Sequence, residues 1–163
     1  MQGGADAEAV ASQFSCFNRG AGVSTIVVVD DDRTFRRLLQ TVLEMEGYEA
    51  VIESCASGVA CLVRELNPDL VLMDVHVGDG NSLEALRELK ADVALQDVPV
   101  LMTSGADHAA ECLEAGADKF ILKPFRPSEL LAAIAGLTIG NDREKETAEE
   151  ASSGEAQSTV AAC

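Results

Sequence analysis

The stretch TIVVVDDD, residues 25–32, decides the fold. Five β-branched residues in a row are typical of a strand that is buried on both faces of a parallel sheet. Beyond the three aspartates, apolar residues recur at helical spacing from Phe35 to Leu43, and the pattern stops at Gly47. The domain is therefore predicted to open with a buried strand that runs through an acidic turn into a helix.

The same alternation of a short apolar run and an amphipathic stretch continues to Leu137. Four further strands are predicted at residues 50–52, 70–73, 100–103 and 120–122. Pro127 begins the last helix. Proline is favourable there because the N–H groups of a first helical turn have no partner within the helix, so the N–H that proline lacks is not missed. Strands that alternate with helices form a parallel sheet through right-handed crossovers. We therefore expect an α/β fold with a five-stranded, doubly wound parallel sheet and helices on both faces.

Composition divides the chain of 163 residues into three parts. Residues 1–24 are rich in Gly, Ala and Ser without periodicity, and we expect a flexible N-terminal arm. Residues 25–138 form the predicted folded domain, close to the commonest domain size. Residues 139–163 are acidic and poor in large apolar residues, which indicates a disordered tail, although Glu and Ala also favour short helix.

Charge and cysteine content narrow the class of protein. Lys and Arg total 12 against 28 Asp and Glu, a net charge of −16. Because duplex affinity comes largely from Lys and Arg on phosphates, we expect no direct nucleic-acid contact. No apolar run is long enough for a transmembrane helix, so we expect no membrane insertion. The five Cys include no CxxC pair, which argues against a disulfide framework or a zinc site and favours the cytoplasm.

Polar side chains follow the predicted strands where each strand ends. They are Asp30 and Asp31 after the first, Asp74 after the third, Ser104 after the fourth and Lys123 after the fifth. Because parallel sheets bind ligands at the carboxyl ends of their strands, we expect these groups to lie together. Clustered carboxylates attract a cation, and oxygen ligands favour Mg²⁺. A metal, an ammonium and a hydroxyl are the groups that stabilise a transferring phosphoryl group.

Four motifs in order, VVVDDD, DLVLMDVHVGDGNSLEAL, VPVLMTSG and GADKFILKPF, resemble the receiver domain of two-component response regulators, the CheY-like superfamily. The resemblance covers about residues 25–137. It implies a flavodoxin-like sheet with strand order 2-1-3-4-5. It also implies a single-domain response regulator that stands alone, without an output domain.

The resemblance further implies a role for each strand-end residue. Asp74 corresponds to the phosphoacceptor, and Asp30 and Asp31 to the acidic pair that binds Mg²⁺, with Asp31 the more direct ligand. Ser104 corresponds to the switch hydroxyl and Lys123 to the ammonium that pairs with the phosphate.

Three positions near these residues also have counterparts in the family. The backbone carbonyl of His76 corresponds to a further metal ligand, and Phe120 to the aromatic switch residue. The Lys123–Pro124 peptide is expected to be cis.

The partners follow from the same resemblance. Asp74 would take its phosphoryl group from a histidine kinase or a histidine phosphotransfer protein, and a downstream protein target would bind the phosphorylated form. Because the chain would modify only itself and lose the group by autodephosphorylation, we do not expect a turnover enzyme.

Two alternatives stay open. Residues 30–34 also spell DxDxT, the nucleophile motif of haloacid-dehalogenase-like phosphatases, in which Asp30 would be phosphorylated with Mg²⁺. That class needs a later acidic pair, which is missing after Lys123, and it leaves Asp74 without a role. The second alternative is a receiver-like binding module that is never phosphorylated.

Overall fold

The TIVVV run forms a strand inside a parallel sheet in the computed structural model, which describes residues 23–78 and 80–152. The strands in chain order are β1 (Thr25–Val29), β2 (Glu49–Glu53), β3 (Leu70–Asp74), β4 (His76–Val77), β5 (Gly80–Asn81), β6 (Val100–Ser104) and β7 (Lys119–Leu122). The main sheet has the order β2-β1-β3-β6-β7 with every neighbouring pair parallel. The predicted five-stranded sheet of order 2-1-3-4-5 is confirmed.

Helices cover both faces of this sheet. They are α1 (Arg33–Met45), α2 (Val59–Leu66), α3 (Ser82–Ala91), α4 (Ala109–Glu114) and α5 (Pro127–Ser152). The side chains of β1 alternate between two buried clusters, Val27 and Val29 on one face and Ile26 and Val28 on the other. The first cluster includes residues of α2, α3 and α4, and the second includes residues of α1 and α5. The doubly wound arrangement is therefore confirmed.

The cores are aliphatic, as the scarcity of aromatic residues predicts. The largest fully buried side chains are Ile, Leu, Met and Val. Each such side chain stabilises the fold by about 1.5–3 kcal/mol relative to an exposed one. The rigid sheet that results fixes the positions of the residues at its strand ends.

The chain turns from β1 into α1 through an N-cap at Asp32. Its carboxylate accepts hydrogen bonds from the backbone N–H of Thr34 at 2.8 Å and of Phe35 at 3.1 Å. These two bonds lower the pKa of Asp32 below its ordinary value. The cap starts the helix directly after Asp30 and Asp31 and so keeps both at the sheet edge.

Strands β2, β3, β6 and β7 are each longer than predicted by one residue at one or both ends, and the structure differs from the predicted elements more substantially in two places. A hairpin of β4 and β5 follows β3, and its two-residue strands are too short to show a periodicity. Helix α5 runs to Ser152, through part of the predicted disordered tail at 139–163, because an existing helix extends through good helix formers without a new nucleus. The rest of that tail, and all but two residues of the predicted arm at 1–24, lie outside the described residues. Among the described helices, none combines the length and apolar character that crossing a bilayer requires.

Candidate functional site

Two carboxylates emerge side by side at the carboxyl edge of the sheet. Strands β1 and β3 pair with Val29 opposite Met73, so the next residues, Asp30 and Asp74, are neighbours. Both are buried, whereas Asp31 is exposed. The sequence therefore predicts this juxtaposition correctly.

Lys123 reaches the same edge from the end of β7. Its Nζ donates a hydrogen bond to Asp30 Oδ2 at 2.8 Å and another to Asp74 Oδ2. The side chain of Lys123 is 21% exposed, against 3% for Asp30 and 11% for Asp74, so the ion pairs lie mostly out of water. The Lys123–Pro124 peptide is cis, as expected.

Burial and charge act in opposite directions on this cluster. Burial raises the pKa of the Asp30 carboxyl, and the charge of Asp74 adds to the rise, while Lys123 and the Asp32 amide oppose it without cancelling it. Burial lowers the pKa of the Lys123 ammonium, but hydrogen bonds and charges of Asp30 and Asp74 outweigh it and hold that pKa above its ordinary value. Lys123 is therefore a cation at neutral pH.

Asp74 and Ser104 have defined hydrogen-bond partners close by in the chain. The backbone N–H of His76 donates to Asp74 Oδ1 at 2.8 Å, so both oxygens of Asp74 face donors. Ser104 is buried at the end of β6, where its Oγ accepts from the Ala106 N–H at 3.2 Å and lies 3.4 Å from Nδ1 of His76. The backbone N–H of Lys123 donates to the Ser104 carbonyl at 2.7 Å, which joins the two strand ends.

Phe120 lies on β7, half-buried against the core cluster that includes α2, α3 and α4. In the register of β6 and β7, Met102 is opposite Phe120 and Ser104 is opposite Leu122. Phe120 is thus two residues before the position on β7 that lies opposite Ser104, and its switch role stays a prediction.

Sequence reasoning missed three neighbours of the site. The ring of Phe35 lies with its centroid 4.1 Å from Nζ of Lys123. Arg36 donates from Nη1 to the carbonyl of Asp30, and the ring of His108 packs against that of His76 at 5.2 Å between centroids. Their spacing indicates only a helix face or a loop, so the sequence holds no signal for these contacts.

The oxygen donors here suit a hard cation such as Mg²⁺. A Cβ placed on Gly78 would lie 3.0 Å from Oδ2 of Asp31, so glycine leaves the space beside that carboxylate open. Over the part of the chain that the structure describes, no three His, Cys, Asp or Glu side chains converge as a metal cluster. Lys123 pairs with both Asp30 and Asp74, whereas the side chain of Asp31 is exposed.

The comparisons with known proteins agree with this fold. A family model described as the response regulator receiver domain matches residues 26–135, and the chain belongs to this family. The "DNA-binding response regulator MtrA" of Mycobacterium tuberculosis is 37% identical over 122 residues, 73% of this chain and 52% of the relative. The "Phosphate regulon transcriptional regulatory protein PhoB" of Pseudomonas aeruginosa is 34% identical over 113 residues, 68% of this chain and 49% of the relative.

A solved structure shows the same architecture. The crystal structure of a response regulator receiver domain protein (CheY-like) from Methanospirillum hungatei matches with a TM-score of 0.70 and 27% identity. The match covers 76% of this chain and 99% of that one. The family is that of two-component response regulators, so the chain is a signalling domain and not an ordinary turnover enzyme, and the phosphatase alternative falls away.

The relatives overturn one prediction. We expected no direct nucleic-acid contact from the net charge of −16, yet the relative from M. tuberculosis is described as DNA-binding. The chain spans about half the length of the curated relatives it matches. Because the net charge is a sum over this chain alone, it says nothing about the charge of the remaining half of such a protein.

Proposed function

We propose that Asp74 accepts a phosphoryl group from a phosphohistidine on a histidine kinase or a histidine phosphotransfer protein. The observation that carries this proposal is the setting of the Asp74 carboxylate. It lies between the ammonium of Lys123 and the backbone N–H of His76, with the Ser104 hydroxyl on the adjacent strand end. Donors already fixed beside the place where the phosphoryl oxygens arrive stabilise the transition state without reorganising.

Asp74 is more accessible to an incoming phosphoryl group than Asp30. The side chain of Asp74 is 11% exposed, whereas that of Asp30 is 3% exposed. An incoming phosphoryl group therefore meets Asp74 first.

Mg²⁺ fits the oxygen donors at this edge of the sheet. Asp31, Asp74 and the backbone carbonyl of His76 would hold the ion, with Asp30 as the second member of the acidic pair. When bound, it neutralises charge on the transferring phosphoryl group. The open space beside Gly78 supports this assignment for Asp31.

The transfer balances without another reactant. A carboxylate oxygen of Asp74 forms a bond to phosphorus, the phosphorus–nitrogen bond breaks, and the donor imidazole keeps the electron pair and takes up a proton. Lys123 then pairs with phosphoryl oxygens in place of the carboxylate oxygen. Water later hydrolyses the acyl phosphate, which returns Asp74 and releases phosphate, so the chain dephosphorylates itself.

The signal follows from the added charge. A phosphoryl group brings about −1.5 to −2 charges and strong acceptors, and we assign Ser104 to donate its hydroxyl to it. Phe120 then turns toward the space that Ser104 leaves, and the surface formed by α4, β7 and α5 changes, so that a downstream protein target can bind it.

The single-domain architecture stays a prediction. We also propose that the protein lies in the cytoplasm, because a reducing compartment keeps the thiols of Cys55, Cys61 and Cys112 free.

Intact-mass spectrometry after incubation with acetyl phosphate and Mg²⁺ tests the proposal. The parent and the exposed control Asp97→Asn should each gain the mass of one phosphoryl group, and Asp74→Asn should gain none. An adduct retained in Asp74→Asn and lost in Asp30→Asn would refute the assignment. No adduct in the parent would favour the binding module that is never phosphorylated.

A further inference from the structure

The ammonium of Lys123 has an aromatic neighbour that the chemistry described above does not use. Two of its N–H groups face Asp30 and Asp74, and the ring of Phe35 lies over Nζ at 4.1 Å from the ring centroid. A lysine ammonium has three N–H donors and no acceptor. Two carboxylates and one aromatic face therefore surround the charged head.

Phe35 is itself held by two contacts. Its backbone N–H donates to Oδ1 of Asp32 at 3.1 Å, which fixes the first turn of α1. Its ring packs edge-to-face against Phe125, with centroids 5.9 Å apart and an interplanar angle of 66°. The ring is thus fixed between the turn after β1 and the loop after β7, the two segments that supply Asp30 and Lys123.

We propose that Phe35 is a positioning residue for phosphoryl transfer, whose ring face holds the Lys123 ammonium beside Asp74. This inference rests on the proposed role of Asp74 as phosphoacceptor. The negative face of an aromatic ring attracts an ammonium, most strongly where water is partly excluded. A lysine has a flexible four-carbon stem, so a fixed head places its charge where the phosphoryl group arrives.

Plain packing is the competing explanation for Phe35. The side chain is half-buried beside the core cluster that includes α1 and α5. Leucine keeps an apolar side chain in that place and lacks the negative ring face, whereas tyrosine keeps the ring. Phe35→Leu and Phe35→Tyr therefore separate the two explanations.

The kinetic test measures the phosphorylation rate with acetyl phosphate and Mg²⁺ at equal concentrations of folded protein. We expect Phe35→Leu to react about threefold to tenfold more slowly, a factor within the range of a partly desolvated cation–π contact. Phe35→Tyr should react at the parental rate. Progressive fluorination of the Phe35 ring, which weakens its negative face and keeps its shape, should lower the rate stepwise. An unchanged rate in Phe35→Leu, or a flat fluorination series, would overturn the inference.

Nuclear magnetic resonance tests the same contact without any phosphorylation. The ε-methylene protons of Lys123 should resonate upfield of those of Lys119, an exposed lysine at the start of β7, because the Phe35 ring current shields them. The upfield shift should disappear in Phe35→Leu and persist in Phe35→Tyr. A shift that survives in Phe35→Leu contradicts the contact. If the parent protein is not phosphorylated, the proposed function is refuted. In that case the chemical shift of the Lys123 ε-methylene protons still tests the contact between Phe35 and Lys123.

Discussion

Replacing Lys123 with methionine removes the cation shared by Asp30 and Asp74 and keeps a long unbranched side chain. Breaking a fully buried ion pair costs about 3–5 kcal/mol. Here the lysine side chain is 21% exposed, so water screens part of the loss, and removing the ammonium also removes its own desolvation cost. We expect Lys123→Met to lower the free energy of unfolding at pH 7 by about 2 kcal/mol.

The effect should depend on pH in a defined direction. Lys123 lowers the pKa of the Asp30 carboxyl, so without Lys123 that pKa rises further above its ordinary value. A carboxyl with a raised folded pKa gains stability as the pH falls through that pKa. The gap between the parent and Lys123→Met should therefore narrow as the solution becomes acidic.

Urea unfolding followed by circular dichroism measures both quantities. The matched control is Lys119→Met, which removes the same charge from an exposed position on β7. It should change the free energy of unfolding by no more than about 0.5 kcal/mol. Equal losses for Lys123→Met and Lys119→Met, or a gap that widens on acidification, would refute the account of the ion pairs.

Three further substitutions test the fold and the site. Asp30→Asn should raise the urea midpoint of unfolding at neutral pH, because burial raises the pKa of the Asp30 carboxyl and so makes its charged form unfavourable in the fold. The gain in stability should vanish at acidic pH, where the parent carboxyl is protonated. A variant that is less stable than the parent at pH 7 would contradict this expectation. Gly116→Ala should lower the free energy of unfolding by about 1–3 kcal/mol in urea, because φ is +104° at Gly116 and the new Cβ would lie 2.9 Å from Cγ of Lys90. The control is Gly58→Ala, whose new Cβ would have no atom within 4 Å. Equal losses in the two variants would refute the explanation by strain at Gly116. Asp32→Ala should lower the thermal midpoint of unfolding, because it removes the N-cap of α1. The pKa of Asp32 is lowered in the fold, so the loss of stability should become smaller as the pH falls toward that lowered pKa. A loss that does not depend on pH would contradict the capping role of the Asp32 carboxylate.

The arrangement of the sheet could be predicted because its signals are local. The β-branched run of β1 and the prolines and glycines between elements show where strands and helices alternate. The hairpin of β4 and β5 escaped prediction because its strands are only two residues long. The helical extension to Ser152 escaped because charged residues without an apolar stripe look alike in a helix and in a tail.

The site was predictable as far as strand ends determine it. Asp30, Asp74, Ser104 and Lys123 each lie at or beside a strand end, and parallel pairing brings them together. The contact between Phe35 and Lys123 depends on the packing of α1 against the loop after β7, which no spacing within α1 reveals. The prediction of no nucleic-acid contact failed for a different reason, because the net charge describes only the residues of this chain and not the rest of its longer relatives.

The central claim is that Asp74, and no other carboxylate of the cluster, carries the phosphoryl group. Reduction with borohydride after phosphorylation converts an aspartyl phosphate to homoserine, and peptide mass spectrometry then locates the converted residue. The account predicts conversion at position 74 alone, with Asp30 and Asp31 unchanged. Conversion at position 30 or 31, or a phosphorylated protein with no conversion at position 74, would contradict it.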